Sequence, residues 1–114
     1  MYKCLDLLCQ VVCQKIIKGQ ETSAVACLNE QKSSIIFRLI EIHNKNKDLF
    51  LKITENKDIF QYISFKFYKM YKDAEEKNCF VVMKNIKEIL DEIITELNSN
   101  GINSTDFTSI KNKL

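Results

Sequence analysis

The sequence has no proline and only two glycines, Gly19 and Gly101. These two residue types interrupt helices most strongly, one by losing an N–H donor and the other through backbone entropy. A chain so poor in both can run long helices with few breaks. It also has a single histidine, His43, and a single arginine, Arg38. That largely excludes metal sites and acid–base pairs that need several histidines. There is no glycine-rich phosphate loop, no G-x-S-x-G and no H-E-x-x-H. No apolar run reaches the ~18 residues of a membrane span, so no membrane insertion is expected. The net charge of +2 is too small to imply a polyanionic partner from charge alone.

What is present reads as an ordinary globular chain. The 114 residues suit one helical domain, 1–114, and the 46% hydrophobic content is too high for disorder. The abundant lysine, asparagine and isoleucine reflect the codon bias of an AT-rich genome, so single lysines carry little meaning. The opening stretch MYKCLDLLCQVVCQKIIK is interrupted by Asp6 and Gln10 and has no small-residue cleavage site, unlike a signal peptide. The five cysteines, Cys4, Cys9, Cys13, Cys27 and Cys79, match no secreted disulfide framework. An intracellular, cytoplasmic location is therefore expected. Cys9 and Cys13 are spaced to share a helix face, and Cys4, Cys27 or His43 could complete a zinc site around them. No C-x-x-C or H-x-x-x-H spacing supports that metal. Small buried hydrophobes are the expected role, and no cofactor is expected.

Apolar residues recur at threes and fours along most of the chain, the helical period. A first helix is expected over 2–18, with Gly19 as its stop. A second is expected over 23–31, capped by Thr22 or Ser23. A third starts at Ser33 or Ser34 and carries Ile35, Ile36, Leu39, Ile40 and His43 inward. The pentapeptide NKDLF at 46–50 returns as NKDIF at 56–60. Ten residues is too short a period for a helical repeat. Aspartate is a favoured N-cap, so the duplication reads as two helix starts, a short helix over 48–55 and a long one from Asp58. The rival reading is one unbroken helix. In the segment IFQYISFKFYKMYK, Phe60, Ile63, Phe67, Met70 or Tyr71, and Ala74 form one stripe. Asn78 is the expected cap of a last long helix over 79–98, whose apolar face runs from Val82 to Leu97 and which Asn100-Gly101 ends. The tail over 102–114 is expected either to dock loosely or to fray. The expected fold is all-α, a compact bundle of five to six helices, with a small HEAT- or armadillo-like stack as the alternative.

Arg38 and His43 stand together as R-L-I-E-I-H. This resembles the R-x4-6-H motif of HEPN ribonucleases, which are small all-α domains. The resemblance implies that Arg38 and His43 would line an RNA-cleaving cleft between paired protomers. A fixed cation would stabilise phosphorane charge and an imidazole would move protons. Five residues on one helix correspond to about 140° of rotation, so the pair converges only if the helix ends between them. The plain reading is a surface arginine and a histidine near a helix C-terminus.

The aromatic helix is the stronger functional clue. Its core stripe leaves Tyr62, Phe65 and Tyr68 towards the outside, interleaved with Lys66, Lys69 and Lys72. Aromatic residues are favoured interface anchors, although a central helix would bury them instead. The leading expectation is a non-enzymatic helical interaction module, or a small subunit of a larger assembly. It would bind a protein partner, or a second copy as a homodimer, through residues 58–77. An RNA- or ribosome-associated factor using the same lysines and tyrosines is the alternative, followed by the HEPN-like ribonuclease.

Overall fold

The computed structural model describes the backbone over 3–46 and 52–114 and the side chains over 6–44 and 59–114. Five helices make up the described chain: α1 (Lys3–Ile17), α2 (Glu21–Asn46), α3 (Lys52–Glu76), α4 (Phe80–Ser99) and α5 (Thr105–Lys113). The protein is an all-α bundle, and no helix among the described residues is long and apolar enough to cross a membrane.

Helices α1 and α2 form one hairpin, and α3 and α4 form a second. The hairpins lie on one another, with α1 against α3 and α2 against α4. The short α5 closes one flank by packing on α3 and α4. Both hairpins and α5 share one core instead of stacking as separate layers, so the architecture is a bundle.

Helix stops were only partly foreseen. Among the described residues, three adopt left-handed backbone: Gly19 (φ +74°), Asn78 (φ +57°) and Gly101 (φ +68°). Each closes a helix in the same way. The N–H of Asn78 donates to the Glu75 carbonyl at 3.1 Å and that of Cys79 to the Ala74 carbonyl at 2.8 Å. Gly19 with Gln20, and Gly101 with Ile102, repeat this pair of bonds on Ile16 and Lys15, and on Asn98 and Leu97. This satisfies carbonyls that a helix end would otherwise leave open. Asn78 is thus the stop of α3, not the cap of α4. Position 79 precedes α4, and Cys79 supplies no side-chain cap bond. Asparagine serves both ends of helices, and its tolerance of positive φ decided the matter here.

Two expected breaks are absent. Helix α2 runs without interruption through Ser33 and Ser34, so the segments expected over 23–31 and from 33 are one helix. Serine in a helix interior costs only a fraction of a kcal/mol, and no glycine or proline stands nearby to stop the helix. Helix α3 likewise runs through Asp58, which is therefore no helix start. Aspartate in a helix interior costs well under about 1 kcal/mol relative to alanine, and no glycine or proline stands between Lys52 and Asp58 to stop the helix. Residues 47–50 of the first copy of the pentapeptide lie outside the described residues.

The core is continuous across all five helices. Phe60, Ile63, Phe67, Met70, Tyr71 and Ala74 of α3 are all buried, as are Val82, Ile86, Ile89, Leu90, Ile93 and Leu97 of α4. The last segment docks through Ile102 and Phe107, both buried. The Phe107 ring lies 5.9 Å from that of Phe60. Ser104 precedes α5 but makes no cap bond; its hydroxyl donates to Asn98 Oδ1 at 2.9 Å.

Candidate functional site

The buried stripe of α3 fixes what its opposite side shows to solvent. With Phe67 fully buried, a helical period leaves Tyr62, Phe65, Lys66, Tyr68, Lys69 and Lys72 along the outer arc. The structure divides these six residues into two groups.

The first group is a staple to α1. The Tyr62 hydroxyl donates to Asp6, and Lys66 Nζ lies 3.2 Å from the same carboxylate. The ammonium also sits 5.1 Å from the Tyr62 ring centroid. The bond from Tyr62, and then Lys66, hold the Asp6 carboxyl below its ordinary range. In return, Asp6 raises the ordinary values of Tyr62 and Lys66. Two of the expected partner residues are therefore engaged within the chain. Sequence reasoning missed this contact because it joins residues 56 positions apart.

The second group forms an open ridge. Phe65 is 59% exposed, and its ring lies 6.2 Å from that of Tyr68. Lys72 Nζ sits 5.4 Å from the Tyr68 ring centroid and 3.3 Å from Glu75. Lys69 is exposed beside them. The ridge thus offers one projecting ring, a half-buried tyrosine held by a cation, and an exposed lysine, all on a regular helix. Such a surface can bury an aromatic anchor at little ordering cost, since the helix is already rigid.

Below the staple, Cys9 and Cys13 of α1 are both buried against α3. The Cys13 thiol hydrogen-bonds to Cys9, and Lys66 and Lys69 add positive potential, so Cys9 is held below the ordinary thiol range. Cys13 is pushed the other way by the same pairing, by burial and by Asp73. Cys27 lies apart, in a hollow with Leu7, Leu8 and Val11 between α1 and α2. The side chain of Cys4 lies outside the described residues. Among the described residues, no three His, Cys, Asp or Glu side chains stand close enough to hold a metal ion.

Arg38 and His43 both lie on the uninterrupted α2, so the rotation of about 140° between them is not relieved by a helix end. Arg38 is exposed and pairs with Glu41 at 3.4 Å. His43 is half-buried, and its Nδ1 is buried without a hydrogen-bond partner among the described residues. Within one chain the two groups do not share a site.

Two exposed rings were not expected: Phe80 at the start of α4 and Phe37 on the outer side of α2, each 67% exposed. Phe37 lies beside a hollow between α2 and α4. Its signal in the sequence was its absence from the apolar stripe of that helix. No family model matches this chain, and no curated protein or solved structure is significantly similar to it.

Proposed function

We propose that this chain is a non-enzymatic helical interaction module that binds a protein partner through the outer ridge of α3. Phe65 is the anchor, with Tyr68, Lys69 and Lys72 around it. The observation that carries this reading is the large exposure of Phe65 on a helix whose other phenylalanines, Phe60 and Phe67, are buried. Phe65 stands with the Tyr68 ring in one aromatic pair on the surface, and aromatic residues dominate interface energetics. The charge pattern favours a protein over RNA. Lys66 and Lys72 face Asp6 and Glu75, which balance their charge locally and leave Lys69 as the lysine of the ridge without such a pairing among the described residues. RNA binding draws on a surface of net positive charge.

The experiment is co-purification from the native source, with and without RNase, of the wild-type chain and Phe65→Ala. A stoichiometric protein that survives RNase and is lost from Phe65→Ala supports the reading. Ribosomal or RNA-binding proteins that vanish with RNase would replace it with an RNA-associated role.

A further inference from the structure

The hollow beside Phe37 is a second surface, lined by neither α1 nor α3. It measures about 490 Å³. Ile36, Phe37 and Ile40 of α2 form its apolar floor, and Asp91, Glu92 and Glu96 of α4 form one wall. The stretch of α4 from Glu88 to Glu96 holds four carboxylates and no basic residue. Two of the wall carboxylates carry lysines of the chain itself: Lys32 lies 3.0 Å from Glu92, and Lys111 pairs with Asp91. Glu96 has no ion pair among the described residues.

Charge and shape together select the occupant. An apolar floor flanked by carboxylates repels phosphates, and it repels a second acidic wall. It attracts a chain segment whose apolar residues lie on one side and whose cations lie beside them. Lys32 and Lys111 show that ammonium groups settle on this wall. Both pairs are solvent-exposed, so they are weak and readily exchanged for a partner's lysines. The floor spans little more than one helical turn, which suits a pair of anchors at i and i+3 or i+4.

We propose that the α2–α4 groove docks a basic amphipathic helix of a partner protein. The apolar side of that helix rests on Ile36, Phe37 and Ile40. Its lysines or arginines meet Asp91, Glu92 and Glu96. This surface is separate from the α3 ridge and stands or falls independently of it.

The test titrates the ¹⁵N-labelled full chain with a synthetic peptide of about 18 residues, long enough to form a helix. The peptide contains leucine, lysine and alanine, with the leucines at helical spacing. A matched peptide carries glutamate in place of lysine. The basic peptide shifts the amide signals around Phe37 and Glu92, and added salt weakens it. Phe37→Ala weakens binding about thirtyfold, the loss expected for an aromatic anchor. Glu92→Lys combined with Glu96→Lys weakens it about tenfold. Phe65→Ala leaves it unchanged. Phe37, Glu92 and Glu96 are exposed, so these variants keep the fold, which circular dichroism checks. The proposal is overturned if the basic peptide does not bind, if both peptides bind alike, or if the shifts fall on α3. Self-association of the chain through Phe37, seen by sedimentation, would also overturn it by making a second copy the occupant.

Discussion

Helix α3 has two faces built from the same residue types. Inward, Phe60, Phe67 and Tyr71 are packed among Ile63, Met70 and Ala74. Outward, Tyr62, Phe65 and Tyr68 alternate with lysines. Composition alone does not separate the two sets, and helical phase does. The inner rings hold α3 to α4 and α5. Of the outer rings, Tyr62 is drawn into a contact with α1, and Phe65 is left as the exposed member of a ridge. Aromatic richness on a helix therefore carries no function by itself. Function is read from the rings that packing and internal pairing leave over.

This division can be broken at graded cost. The largest effect belongs to the inner face. Phe67→Ala empties a fully buried site and costs about 3–5 kcal/mol, read from urea or thermal unfolding. A loss under about 1 kcal/mol would show that the inner face is not core. Next is the stop that ends both faces. Asn78→Ala forces a Cβ-bearing residue without asparagine's local bonding into positive φ and costs about 1 kcal/mol. Asn78→Gly at the same position retains wild-type stability or raises it.

A smaller effect belongs to the staple. Asp6→Asn removes the carboxylate that Tyr62 and Lys66 share, and lowers the melting temperature slightly at neutral pH. Asp6 ionises more readily in the fold than in the unfolded chain. Its contribution is therefore present above the ordinary carboxylate value of about 4, and is lost as pH falls through the lowered one. Tyr62 and Lys66 are raised, so their contributions are present below their ordinary values near 10 and are lost as pH rises through the raised ones. The gap between wild type and Asp6→Asn is widest in the neutral range and closes towards acid. A gap that does not change with pH would show that the staple is not ionic.

The comparison also separates what could be read from the chain. The stripes of α3 and α4, and the stops at Gly19 and Gly101, follow from periodicity and backbone freedom, which are local properties. The continuity of α2 through Ser33 and of α3 through Asp58 does not. There a cap preference of about 1 kcal/mol competes with helix propensities of similar size, and residue spacing does not decide between them. The outer arc of α3 was legible as six residues, but its split into staple and ridge was not, because Asp6 lies on another helix. The groove beside Phe37 needs two helices to exist at all. Its acidic wall stood in the sequence as Asp91, Glu92 and Glu96, with nothing to pair it with Ile36 and Ile40.

The smallest effect on stability and the largest on binding meet at Phe65. The decisive measurement is thermal unfolding of Phe65→Ala beside recovery of the RNase-resistant partner. The account predicts an unchanged melting temperature and a lost partner. A melting temperature lower by about 4–8 °C, the shift expected for 1 kcal/mol in a domain of this size, would place Phe65 in the core. A partner retained at full stoichiometry would contradict the interface.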